Sequence, residues 1–167
     1  VLNRIVVEDD EDNELRIAFD FDGVLADDEA EKVYKETGDL KQYHQYEEEH
    51  AKDPLKIGPV GELLKRISFL QKLEQKKLQK NPDYKPILKT AIVTARNAPA
   101  HERMIHTLKA WEVDVDEAFF LGGINKARIL NIMKPHIFFD DQMVHLDHID
   151  KIPAVHIPFG VANKESE

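Results

Sequence analysis

From Thr90 onward, short apolar runs alternate with helix-like stretches at the spacing of a β/α chain. Thr90–Ala95 (TAIVTA), Ala118–Leu121, His136–Phe139 and Pro153–Ile157 read as strands. Between them, Met104, Ile105, Leu108 and Trp111 recur at helical spacing, after Asn97 and Pro99 as cap and first-turn residue. A further helix is expected over 126–134, with Asn125 as its cap and Pro135 as its stop. Strands separated by helices pair in parallel, because a parallel neighbour needs a crossover. Leu15–Phe21 (LRIAFDF) supplies an earlier, nearly continuous apolar run, the pattern of a strand buried on both faces. The expected fold is α/β, a mostly parallel sheet of about five strands with helices on both faces.

The stretch 25–89 carries no strand signal. It contains helix-like residues from Asp27 to Glu36, an acidic amphipathic segment over 40–52, and a long helix on which Val60, Leu63, Leu64, Ile67, Leu70 and Leu73 follow a 3.6-residue period. The expectation is a small helical cap inserted after the first strand. Residues 15–24 and 90–167 would form the core, 25–89 the cap and 1–14 an N-terminal segment or linker. The run Glu8–Glu14 (EDDEDNE) is too charged to bury and lacks the carboxylate register and central Gly of a calcium loop.

Composition removes several chemistries. With no cysteine there is no disulfide framework, thiol nucleophile or thiolate zinc site, and the serines, Ser68 and Ser166, suit no serine hydrolase. A net charge of −9 argues against a nucleic-acid surface. No apolar run is long enough for a membrane span, and the early acidic residues fit no signal peptide. A cytoplasmic location follows as the expectation. The chain starts at Val1 rather than Met, as a piece of a longer protein would.

Ligands of open parallel sheets bind outside the carboxyl ends of the strands. The polar residues expected there are Asp20 and Asp22 after the first strand, Thr94 after the second, Asp140 and Asp141 after the fourth, and Lys126 opening the helix after the third. Acids so concentrated need a cation, and an all-oxygen set suits a hard one, with Mg²⁺ the natural choice. A metal beside a spare carboxylate suggests phosphoryl transfer, in which one Asp attacks phosphorus and another, two residues on, serves as acid and then base. Each element alone is weak, since Asp-x-Asp and Asp-Asp pairs are common at strand ends. Their ordered set is specific.

That set resembles the haloacid dehalogenase-like phosphohydrolase superfamily, through FDFDGVLAD (19–27), IVTAR (92–96), Lys126 and FFDDQ (138–142). More narrowly, LRIAFDFDGVLADDEAE, TAIVTARNAPAHERM, DEAFFLGGINKARIL and KPHIFFDDQMVH are similar to the cytosolic 5′-nucleotidase type I family. The resemblance implies a Rossmann-like core and a Mg²⁺-dependent phosphomonoesterase that hydrolyses nucleoside 5′-monophosphates through an aspartyl-phosphate. It implies Asp20 as nucleophile and metal ligand, and Asp22 as acid/base with its backbone carbonyl on the metal. Thr94, the Ala95 backbone and Lys126 would hold the phosphate. Asp140 and Asp141 would be the metal-side acids, Asp141 the direct ligand. The implied partner is a small-molecule phosphomonoester, with no nucleic acid and no membrane, and self-association as a homo-oligomer stays open. Two departures stand out. Phe21 replaces the usual Gly between the first two aspartates, with consequences expected for the pocket floor or the cap contact, and family members usually carry an additional N-terminal half. Two other readings remain open: a phosphatase of another small phosphorylated metabolite, or a catalytically weak domain needing that half.

Among other residues, the histidines, His145 and His148 included, read as surface or capping groups. Arg96 reads as either a phosphate contact or a helix-entry salt bridge. Tyr34, Tyr43 and Tyr46 are candidate stacking surfaces for a base, or packing residues within the cap.

Overall fold

A computed structural model describes residues 11–163. The run Val1–Val7, the first part of the acidic run Glu8–Glu14, and Ser166 lie outside the described residues. Five parallel strands form one sheet: β1 (Leu15–Phe19), β2 (Leu88–Thr94), β3 (Glu117–Phe120), β4 (Ile137–Asp140) and β5 (Ala154–His156), in the order β3-β2-β1-β4-β5. β1 lies at the centre, with Phe19 in register with Ile92 on one side and Phe139 on the other.

Adjacent residues of a strand face opposite sides of the sheet, and this alternation builds two cores. Phe19 and Ile92 join Leu64, Ile67, Met104 and Leu108 on one face. Ala18 and Val93 join Leu130, Phe138, Leu146 and Ala154 on the other. The first face is covered by α3 (Gly61–Lys80) and α4 (His101–Ala110), the second by α5 (Ala127–Met133) and α6 (Met143–Leu146). The expected α/β architecture with helices on both faces is what forms. α6 is too short to leave a periodic signal.

Two further helices, α1 (Glu29–Thr37) and α2 (Leu40–Glu49), precede α3. The stretch expected as one cap thus divides. α3 packs Leu64 and Ile67 into the sheet's own core, while α1 and α2 place Tyr34, Leu40, Tyr43 and His44 along a cleft at the carboxyl edge. Only part of the apolar period of α3 is covered, since Leu63, Leu70 and Leu73 remain 44–48% exposed. β2 also begins earlier than its apolar run, because Leu88 and Lys89 pair in register with Leu15 and Arg16. Among the described residues, no helix is long and apolar enough to cross a membrane.

β1 stops at Phe19, short of the expected Phe21. Asp20 closes the ladder, its N–H donating to the Phe139 carbonyl at 2.8 Å and its Oδ1 accepting from the Phe21 N–H at 2.7 Å. Phe21–Leu25 then form a wide turn, sealed by the Ala26 N–H on the Phe21 carbonyl at 2.9 Å. Gly23 sits in it at φ 70°, where a side chain is strained. Asp22 therefore reaches the cleft from a turn rather than from the strand alternation that its spacing suggests.

Candidate active site

The carboxyl edge of the sheet carries a cleft of about 390 Å³ lined by Asp20, Asp22, Thr94, Ala95, Arg96, Gly122, Gln142 and His145, besides Glu31 and other residues of α1 and α2. A larger hollow of about 620 Å³ lies at the opposite edge, among residues such as Arg16, Lys89 and Ile132. It lacks the acid cluster and lies away from the strand ends where ligands of such sheets bind.

Lys126 is 2% exposed and immediately precedes α5. Its Nζ lies 2.7 Å from Asp20 Oδ2 and 2.7 Å from Asp140 Oδ2. It is thus a buried bridge between the ends of β1 and β4, not a solvated first-turn lysine. Burial works to lower its pKa, but the two carboxylates outweigh that and hold it raised. On Asp140, burial works upward, and Lys126 and His145 outweigh it, holding the carboxyl below its ordinary range.

The two acids after β4 differ sharply. Asp140 is fully engaged: Oδ2 on Lys126, Oδ1 on the Gln142 N–H at 2.8 Å, and His145 Nδ1 at 3.2 Å from both oxygens. Asp141 is 1% exposed, and neither of its carboxylate oxygens has a partner. Burial, then the charges of Asp20, Glu31 and Asp140, push its pKa up to about 8. Burial also raises Asp20, against the pull of Lys126. A buried carboxylate with both oxygens unsatisfied is costly, and a hard cation between Asp20 and Asp141 would relieve it. The donor set therefore fits such an ion. Among the described residues, ligating atoms of Asp20, Asp140 and His145 also lie within 4.8 Å of one another. The oxygens of Asp140 are already occupied, which leaves Asp141 the better ligand.

Asp22 faces Arg96 edge-on. Nε reaches Oδ2 and Nη2 reaches Oδ1, both at 2.7 Å. The third nitrogen of the guanidinium, Nη1, donates to Glu47 of α2 and to the Ala100 carbonyl at 2.8 Å. Arg96 is 4% exposed, and its backbone N–H donates to Thr94 Oγ1 at 3.1 Å. Of the two readings for Arg96, the ion pair is the one formed, and it joins the cleft to α2 as well as to Asp22. The role of Glu47 has no local signature, being one carboxylate in an acidic helix. His145 lies against Asp140 rather than at an idle surface.

Phe21 is fully buried, packed 6.3 Å from the Trp111 ring and 5.3 Å beneath the Arg96 guanidinium. It does not line the cleft. Its ring meets the site through Arg96, and its N–H through Asp20 Oδ1. Tyr46 is occupied by Glu29, to which its hydroxyl donates at 2.6 Å, and by His50, whereas Tyr34 and Tyr43 line the cleft.

Comparison with known proteins gives concordant matches. The family model described as 5′-nucleotidase matches residues 1–164. Human cytosolic 5′-nucleotidase 1B is 39% identical over 145 residues, covering 86% of this chain. The chain spans 23% of that relative's length. A solved structure described as the Pnkp1/Rnl/Hen1 complex superposes with a TM-score of 0.51 at 13% identity, over 93% of this chain and 50% of that one, a likeness of fold alone.

Proposed function

The chain belongs to the 5′-nucleotidase family, and on that premise we propose that it is a Mg²⁺-dependent phosphomonoesterase acting on nucleoside 5′-monophosphates. The observation that carries the reading is one pairing of charges. Lys126 is bridged between Asp20 and Asp140, next to an Asp141 carboxylate that is buried with no partner. Asp20, Asp141 and the backbone carbonyl of Asp22 would hold the ion, which when bound neutralises phosphate oxygens and the charge that builds on them.

The chain's own residues supply the rest. Asp20 attacks phosphorus, and the bond from phosphorus to the ester oxygen breaks. The Phe21 N–H on one oxygen and Lys126 on the other fix the Asp20 carboxylate, so that attack starts from one geometry. Asp22, drawn off Arg96 and carrying a proton taken from solvent, gives that proton to the departing sugar oxygen. It then takes a proton from the water that attacks the aspartyl-phosphate, which frees inorganic phosphate and restores Asp20. Lys126, the Thr94 hydroxyl and the Ala95 N–H hold the phosphate oxygens. α1 and α2 act as the cap, and Tyr34 and Tyr43 offer aromatic faces to a base.

The test is an assay of a panel of nucleoside 5′-monophosphates and small sugar phosphates, with Mg²⁺ and after removal of divalent ions. Metal-dependent release of phosphate from the nucleotides is expected. Preference for a non-nucleotide phosphate would move the chain to the second metabolite-phosphatase reading. Turnover that survives removal of metal would overturn the proposal.

A further inference from the structure

Most carboxylates at the carboxyl edge of the sheet are answered by a cation of the chain itself. Asp20 and Asp140 share Lys126, and Asp22 meets Arg96, each at 2.7 Å. Glu31 and Asp141 are not so answered. Glu31 has the exposed Lys35, 3.9 Å from Oε1, a surface pairing worth little. Gln142 also holds Oε1, donating from Nε2 at 3.3 Å, and Gln142 directly follows Asp141 in the chain. Oε2 of Glu31 is buried with no partner. Among the described residues, the buried side-chain oxygens left without a partner are Glu31 Oε2 and the two oxygens of the 1% exposed Asp141.

The two groups also act on each other. Among neighbouring charges, only that of Asp20 raises the Asp141 carboxyl more than that of Glu31 does. Buried charges left this way are costly. A substrate hydroxyl on Glu31 Oε2 would do nothing for Asp141, and an unanswered carboxylate beside a phosphate site repels the phosphate. One divalent cation answers both acids.

We propose that Glu31 of α1 is an outer ligand of the divalent-cation site: its Oε2 faces the ion through water that the ion retains, and with Asp141 it supplies the two negative charges that Lys126 and Arg96 leave unanswered. Mg²⁺ keeps several waters when it binds protein carboxylates, and those waters need acceptors. The ion's surroundings thus take a residue from a helix outside the sheet, away from any strand end. The inference rests on the phosphomonoesterase reading for the identity of the ion, and on the orphaned oxygens for the site.

Calorimetric titration of the metal-free full chain with Mg²⁺, in the absence of substrate, tests this for the wild type, Glu31→Gln and Asp141→Asn. Loss of an outer partner of a metal site typically costs ~10–100-fold in affinity. Glu31→Gln should weaken Mg²⁺ binding by that factor, and Asp141→Asn by more. Gln keeps an acceptor for Gln142 and removes an unanswered charge, so the metal-free variant should melt no lower than the wild type. A Glu31→Gln variant that binds Mg²⁺ as tightly as the wild type overturns the proposal. If its KM then rises for nucleotides but not for p-nitrophenyl phosphate, Oε2 serves a nucleoside hydroxyl instead. A metal-free variant that melts lower, or fails to fold, also overturns it and makes Glu31 a structural residue. Metal-dependent phosphate release with equal Mg²⁺ affinity in variant and wild type overturns this inference alone. Glu31-dependent Mg²⁺ binding in a chain that releases phosphate from no ester overturns the phosphomonoesterase reading and leaves the cation site standing.

Discussion

A methyl group on Gly23 would lie 2.5 Å from Oδ2 of Asp141, so the turn after β1 and the acid after β4 share one volume. Gly23 also sits at φ 70°. Gly23→Ala therefore carries two penalties. The backbone term is about 1–2 kcal/mol. The steric term pushes aside a carboxylate proposed to hold Mg²⁺. The variant should melt several degrees lower, at ~2–4 °C per kcal/mol for a chain of this size. It should also bind Mg²⁺ more weakly in calorimetric titration. An unchanged affinity would show that Asp141 is not a ligand.

Asp141 makes the metal-free protein pH-sensitive in a definite direction. Its carboxyl is raised from 3.8 to about 8 in the folded chain. A group raised on folding contributes stability that is complete below its unfolded value and is lost as pH climbs through the folded one. The metal-free protein should therefore lose stability from this group between about pH 4 and pH 8. Mg²⁺ takes the place of the proton, so the melting-point gain on adding Mg²⁺ should be larger at pH 8.5 than at pH 6. Binding near neutral pH should release protons, visible as a buffer-dependent heat of titration. A metal-induced gain independent of pH would contradict this.

Lys126→Met tests the buried bridge. Removing one partner of a buried ion pair typically costs about 3–5 kcal/mol, and loss of one preorganised electrostatic contact costs ~10²–10³ in kcat. Both losses are expected, because the same ammonium holds Asp20 and Asp140 at 2.7 Å. Chemical denaturation beside steady-state kinetics separates the two, and normal values of both would make Lys126 a bystander.

Asp20 and Asp22 should give opposite trapping results. Asp20→Asn removes the nucleophile, so no phosphorylated peptide should form. Asp22→Asn should still accept phosphate from p-nitrophenyl phosphate and then hydrolyse slowly, for want of a base. Mass mapping of the trapped peptide decides, and phosphate on Asp22 would reverse the assignment.

Phe21→Ala should act on stability, not on substrate choice. A buried aromatic truncated to Ala typically costs ~3–5 kcal/mol. Phe21 packs on Trp111 and lies beneath Arg96, outside the cleft lining. The ranking of substrates in the nucleotide panel should stay as in the wild type. A reordered ranking would place Phe21 at the pocket after all.

What the sequence determined by itself was local and periodic. β1, β2, β3, β4 and β5 each appear within a few residues of an apolar run, because strands that pack against helices carry apolar side chains at successive positions. Asp20, Thr94 and Asp140 were placed near the carboxyl edge by the ends of those runs, and parallel order followed from the intervening helices. The tertiary structure decided the rest. It divided 25–89 into α3, which packs on the sheet, and α1 with α2, which face the cleft. It sent Phe21 into the core and left Asp141 rather than Asp140 without a partner. Above all it joined Arg96 to Asp22, 74 residues away, and to Glu47, 49 residues away. The physical reason is that burial imprints a period on the chain, since every residue of an element feels the same core. A salt bridge imposes no period. Each of its partners looks like any other charged residue until the fold brings them together.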